Sequence, residues 1–210
     1  RYLKNTVEFG IDEVGRGCLF GPVCVCCVYI PENLEIPASL KLRDSKKTTP
    51  RQRRLIMEFV EKNEDIKFSY IFIDNKVIDE INILQATFRG MHQSIETMCL
   101  HPEHLLIDGD KFKYYTDKGG DIVAHKCIPK GDDKYAHISF AANIAKLKRD
   151  QYMEKLCDMN PWLNEYYGLA SNKGYGTKKH MDGIREHGIT ELHRRSFRPC
   201  DTASMCSIPL

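Results

Sequence analysis

No stretch constrains this chain more than Phe9-Gly10-Ile11-Asp12-Glu13-Val14-Gly15-Arg16-Gly17-Cys18-Leu19-Phe20-Gly21-Pro22-Val23. Apolar, β-branched runs over residues 7–14 and 23–30 flank a glycine-rich corner, the pattern of two strands in a buried sheet. Asp12 and Glu13 close the first run. Successive strand side chains point to opposite faces, so these carboxylates serve one site only if the backbone turns or bulges just after them. Gly15 and Gly17 supply that freedom and let the backbone approach a ligand, with Arg16 between them free to fork onto a phosphate. The stretch reads as a metal-and-phosphate corner, or more plainly as an acidic surface pair beside a tight turn.

With 210 residues, 42% of them hydrophobic, the chain has enough apolar material for one substantial core. The expected organisation is a catalytic core over residues 1–160 and a helical, substrate-contacting segment over 161–210 of the same domain. A net charge of +2 excludes neither nucleic acid nor a small substrate, because distribution matters more than the sum. Lys41, Arg43, Lys46, Lys47, Arg51, Arg53 and Arg54 form one basic cluster, and Lys173, Lys178, Lys179, Arg185, Arg194, Arg195 and Arg198 a second. Two such clusters suit an enzyme that holds a polyanion, or else are solvated faces. The nine cysteines are odd in number and several sit in apolar runs, as expected of reduced thiols. No signal-peptide pattern or membrane-length apolar run is seen, so an intracellular, cytoplasmic protein without a membrane partner is expected.

Along the chain, Thr49-Pro50-Arg51-Gln52 predicts a helix start, with Thr49 as cap, Pro50 at the first helical position and Gln52 closing the box. Leu55, Ile56, Phe59 and Val60 supply its apolar face. Residues 67–73 and 122–128 read as strands, 83–98 as a helix, and 105–110 as a short buried strand ending in carboxylates and glycine. A long helix striped by Ile138, Ala141, Ala142, Ala145, Tyr152, Met153 and Leu156 ends at Asn160-Pro161. A shorter one spans 177–187, with Gly188 just after it.

Four acidic positions follow one grammar: Asp12 and Glu13 after a strand, Asp108 after a strand, and Asp132 at a helix entry, where it could instead cap that helix. Oxygen ligands suit hard Mg²⁺ or Mn²⁺. Two such ions clamp the attacking and leaving oxygens of a phosphoryl displacement. Mutual repulsion should leave the four carboxylates poorly gathered until metal binds. Asp110 and Asp133 are neighbouring acids that could replace or assist Asp108 and Asp132.

The ordered blocks Gly10-Ile11-Asp12-Glu13-Val14-Gly15-Arg16-Gly17, Asp44-Ser45-Lys46-Lys47, Leu106-Ile107-Asp108-Gly109, Lys130-Gly131-Asp132, Ala145-Lys146-Leu147-Lys148-Arg149-Asp150, Lys173-Gly174-Tyr175-Gly176-Thr177 and His193-Arg194-Arg195-Ser196-Phe197 resemble the ribonuclease HII family across nearly the whole chain. The resemblance implies an α/β, ribonuclease H-like fold: a mixed central sheet flanked by helices, with a helical C-terminal segment. It implies two Mg²⁺ or Mn²⁺ ions held by Asp12, Glu13, Asp108 and Asp132. The implied reaction is endonucleolytic hydrolysis on the 5′ side of ribonucleotides, in RNA-DNA hybrids or embedded singly in duplex DNA, leaving 3′-hydroxyl and 5′-phosphate ends.

By the same similarity, the backbone of Gly15, Arg16 and Gly17 meets the ribose 2′-hydroxyl and Tyr175 packs at the RNA-DNA junction. A close backbone can read that hydroxyl without reading base identity. Lys46, Lys47, Lys146 and Lys173 are candidate phosphate contacts, which position a duplex without reading its sequence. Cys18, Arg43, Ala142 and Asn172 depart from the family's usual proline, asparagine, serine and histidine. Arg194 and Arg195 are expected either on phosphates or paired with acids inside the fold. His137 and His180 could help with proton traffic, or more plainly are expected on helix surfaces. The end of the chain, 199–210, carries no aromatic pair of the kind sliding-clamp ligands use, and a monomer is expected.

Overall fold

The computed structural model describes residues 2–42 and 47–208. Its elements run β1 (Glu8–Val14), β2 (Val23–Tyr29), α1 (Pro50–Lys62), β3 (Lys67–Ile73), α2 (Asn75–Glu96), β4 (His104–Asp108), β5 (Ala124–Ile128), α3 (Ala136–Met159), α4 (Pro161–Tyr167), α5 (Leu169–Asn172) and α6 (Lys178–His187). The five strands form one mixed sheet in the order β3-β2-β1-β4-β5, with β1 antiparallel to β2 and parallel to β4, which is parallel to β5. The fold is α/β, as expected.

Strand alternation divides the sheet's residues between two helices. Phe9 and Ile11 of β1, Val25 and Cys27 of β2, and Leu105 and Ile107 of β4 bury one face with Met91 and Ile95 of α2. On the other face Leu106 and Ile128 pack with Ile138 of α3. Gly10 also belongs to this side. A Cβ there would stand 2.3 Å from the carbonyl carbon of His137, so the first turn of α3 rests directly on the β1 backbone. All nine cysteines are free, and Cys24, Cys26 and Cys27 are buried on β2.

By its internal packing the chain divides into two compact units, residues 1–14, 24–71 and 88–147 in the first and 15–23, 72–87 and 148–210 in the second. The segment 161–210 thus shares its unit with stretches drawn from 1–160. The second unit has its own core, built from Leu19, Phe20, Met153, Leu163, Tyr167, Leu169 and Ile184 among others.

Several local expectations change. Thr49 caps α1 by accepting from the Gln52 amide, but the Gln52 side chain donates to the carbonyls of Ser39 and Leu40 instead of closing the box. Met57 is buried on α1 while Leu55 is exposed. The second helix begins at Asn75 rather than 83 and is kinked at Asn82, whose φ of 66° leaves the helical region while its side chain accepts from the amides of Leu84 and Gln85. α4 and α5 follow Asn160-Pro161 at once, because Pro161 starts a new helix as readily as it ends the old one. Among the described residues no helix is long and apolar enough to cross a membrane.

Candidate active site

The site begins with register. Gly10 and Ile11 of β1 pair with Leu106 and Ile107 of parallel β4, so the next residues along, Asp12 and Asp108, reach the ends of adjacent strands together. Alternation puts both on the face that carries Gly10 and Leu106, toward α3. The turn expected after the two carboxylates comes without a bulge. β1 stays in register with β2 through Val14, and the chain first turns at Gly15, where φ is 94°. Glu13, half-buried, follows Asp12 on the strand, and its charge still acts on the Asp12 carboxyl.

Asp132 arrives from the next crossover. After β5, Lys130 adopts a left-handed conformation and residues Gly131–Asp133 make one 3₁₀ turn. The Gly131 amide donates to Asp108 Oδ1 at 2.7 Å, which ties this turn to the end of β4. Gly131 is buried, and a Cβ there would meet Ile138 Cδ1 at 2.5 Å.

Asp12 shows what this convergence does electrically. It is 6% exposed, and its carboxyl is pushed well above the usual carboxylate range, first by burial, then by the charges of Glu13 and Asp108, with a smaller push from Asp132. The Glu13 amide, donating to Asp12 Oδ1 at 2.6 Å, pulls the other way. Asp110 is exposed, and Asp133 is ion-paired with Lys47. Among the described residues no three such side chains stand at ion-binding spacing. The charges of Glu13, Asp108 and Asp132 nevertheless meet at Asp12. Their all-oxygen donor set fits a hard divalent cation, which would supply the missing positive charge.

The glycine corner lies in the second unit with Tyr175 and Lys173. Arg16 and Gly17 are exposed, whereas Cys18, Leu19 and Phe20 are buried. Cys18 bridges to Tyr175, and the Leu19 amide donates to Gly174 O at 2.8 Å. Tyr175 is 37% exposed, so it is not a core tyrosine. Burial, helped by the neighbouring Cys18, pushes its hydroxyl up to about 12. Asn172 props the turn, accepting from the Gly174 amide and donating to Tyr167 O. Asn143, beside buried Ala142, accepts from the Thr48 hydroxyl.

The basic residues are rearranged most. Lys46 and Arg43 lie outside the described residues. Arg53 of the first cluster is buried and donates to Thr48 O. In the second, Lys173 pairs with Glu154, Lys178 and Arg185 with Asp182, and Arg198 with Asp201. Lys146 is half-buried on α3. Arg195 and Ser196 lend their amides to Asp79. Arg194 is wholly buried and meets neither phosphate nor carboxylate expectations, since its guanidinium donates to three main-chain carbonyls. Arg149, also wholly buried, does the same. The resemblance singles out the block 145–150 that contains it, but no local signal marks this arginine as buried.

Both histidines expected on helix surfaces are buried. His180 Nδ1 meets Tyr175 O at 3.0 Å and its Nε2 meets His193 Nε2 at 3.1 Å. Burial lowers the pKa of both, that of His193 to about 3 with the charge of His180 adding to it. The pair is neutral at working pH.

Comparison with known proteins adds a family. The family model described as Ribonuclease HII matches residues 9–200. The chain is similar to the Ribonuclease HII of Phocaeicola vulgatus, with 41% identity covering 98% of this chain and 96% of that one. Among solved structures it is similar to ribonuclease H2 from Pyrococcus horikoshii OT3, with a TM-score of 0.70 and 23% identity, covering 92% of this chain and 95% of that one. It is also similar to Bst-RNase HIII in complex with Mn²⁺, with a TM-score of 0.67 and 21% identity over 95% and 70% of the respective chains. At such identities the solved structures speak for the fold alone.

Proposed function

We propose, because the chain belongs to the ribonuclease HII family, that it is an endoribonuclease cutting RNA in RNA-DNA hybrids on the 5′ side of a ribonucleotide. Single ribonucleotides embedded in duplex DNA are substrates of the same site. The observation that carries the reading is the family match over residues 9–200, together with carboxylates whose charges meet at Asp12.

Asp12, Glu13, Asp108 and Asp132 would hold two Mg²⁺ or Mn²⁺ ions. Bound there, such ions lower the pKa of a water and neutralise charge on the leaving oxygen. Water oxygen attacks phosphorus, the P–O3′ bond breaks, and the departing 3′-oxygen takes up a proton, leaving 3′-hydroxyl and 5′-phosphate ends. Asp12 must release the proton that burial favours in the metal-free state, so loading the site releases protons.

Gly15, Arg16 and Gly17 meet the ribose 2′-hydroxyl through their backbone, and Tyr175 offers a ring to the adjoining sugar. Lys47 and Lys146, with Lys46 and Lys173, position phosphates. Lys47 and Lys173 must first leave Asp133 and Glu154, and exposed pairs of that kind are worth only ~0–1 kcal/mol. The protein works as a monomer in the cytoplasm, and residues 199–210 do not recruit a sliding clamp.

The test is end analysis of products from a labelled hybrid in Mg²⁺ and in Mn²⁺, with Asp108→Asn beside the wild type. Cuts bearing 3′-hydroxyl ends that vanish in the variant are expected. Full activity of Asp108→Asn under saturating metal would refute the metal assignment.

A further inference from the structure

Two wholly buried arginines hold the glycine corner from within. Arg194 donates Nη2 to Gly15 O at 2.8 Å, Nη1 to Arg16 O at 2.8 Å and Nε to Gly21 O at 3.0 Å. Arg149 donates Nε to Pro22 O at 2.9 Å, Nη2 to Phe20 O at 3.1 Å and Nη1 to Lys173 O at 2.7 Å. Burying a guanidinium is costly unless its donors are satisfied. These carbonyls satisfy it, and Arg194 stays charged at neutral pH, its pKa lowered by burial only to about 10.

The consequence lies on the other side of the peptide planes. The peptides after Gly15 and Arg16 are trans, so each N–H points opposite to its C=O. Drawing the Gly15 and Arg16 carbonyls inward onto Arg194 turns the Arg16 and Gly17 amides away from the buried guanidinium, at residues that are themselves exposed. A cation on the carbonyl oxygen also polarises the peptide and strengthens its N–H as a donor.

We propose that Arg194 is a positioning residue that aims the Arg16 and Gly17 amides outward as a paired donor for a sugar or phosphate oxygen of the nucleic acid. Arg149 locks the Lys173–Tyr175 turn to the same corner through Lys173 O. The inference rests on the ribose-reading function proposed for this corner, and extends it to a residue that never touches substrate.

The test uses intact protein in Mg²⁺. It compares KM for a duplex carrying one ribonucleotide with Ki for the same duplex in all-DNA form as competitor. Arg194→Lys keeps the charge but loses the fork. With folding checked by circular dichroism, the Ki/KM ratio should fall roughly tenfold, the scale of a lost hydrogen bond or two. Ki itself should hold within about twofold, because contacts blind to the 2′-hydroxyl remain. A purely structural role would instead worsen both constants together, which overturns the proposal.

If Arg194→Lys does not fold, Gly17→Pro decides. It removes one outward N–H, at a residue whose added Cβ would meet open space. An unchanged ratio in that variant refutes the paired-donor role. A wild-type ratio near one defeats the ribose-reading function and this proposal with it. A high wild-type ratio that survives in folded Arg194→Lys defeats only the part assigned to Arg194.

Discussion

Replacing Asp12 by Asn should stabilise the metal-free protein while abolishing its activity. Asp12 is 6% exposed and faces the charges of three other acids, so folding places a carboxylate where its ionised form is disfavoured. Asparagine has nearly the same shape and keeps an oxygen for the Glu13 amide. Single substitutions usually change stability by about 0.5–3 kcal/mol, and the raised carboxyl makes the sign here a gain. A gain of about 1–3 kcal/mol follows, with Tm rising by roughly 2–4 °C per kcal/mol for a chain of this size.

The sign of the pH dependence is fixed by the raised carboxyl. Below the usual carboxylate range Asp12 is protonated in both folded and unfolded states and contributes nothing. As pH rises, the unfolded chain ionises first and the folded wild type loses stability, until its own raised pKa is passed. The advantage of Asp12→Asn should therefore be small near pH 4 and grow toward neutrality. Mg²⁺ or Mn²⁺ should narrow it by stabilising the wild type. Thermal melts in EDTA across that range, repeated with metal, make the assay. Equal or lower stability of the variant at neutral pH in EDTA would refute the reasoning.

Other substitutions separate packing from recognition. Gly10→Ala sets a Cβ within 2.3–2.6 Å of main-chain atoms of His137 and Ile138, and should cost about 2–4 kcal/mol in urea denaturation. Lys47→Ala should change stability by less than ~0.5 kcal/mol, since its ion pair with Asp133 is largely exposed, yet raise KM and flatten the salt dependence of hybrid binding. Tyr175→Ala should lose preference for a single ribonucleotide while Tyr175→Phe keeps it. Because the Tyr175 hydroxyl is pushed up to about 12, that preference should not titrate between pH 7 and 10.

What the sequence made legible was local. Thr49-Pro50 and Thr177 marked helix starts, Gly188 marked an end, and apolar runs closing on Asp12 and Asp108 marked strand ends that parallel pairing brings together. Those signals are carried within a few residues. The arginines were illegible for the opposite reason. Arg149 and Arg194 are satisfied by main-chain carbonyls distant in sequence, all but that of Lys173 more than a hundred positions away, and a carbonyl leaves no trace in residue identity. The second basic cluster could be a binding face or a solvated one, because sequence shows the charges without their partners Glu154, Asp182 and Asp201. His180 has polar neighbours in sequence, but its burial depends on His193 and Tyr167, reached only through tertiary packing.

The proposed function is hydrolysis by four carboxylates of duplexes that contain ribose. It is tested most directly by cleavage of an end-labelled DNA duplex carrying one ribonucleotide, beside all-DNA and long-hybrid duplexes, in Mg²⁺ and in Mn²⁺. A single cut on the 5′ side of the ribonucleotide, with the all-DNA duplex intact, is the predicted result. Equal cutting of the all-DNA duplex, or binding of every duplex with no cleavage in either metal, would contradict it.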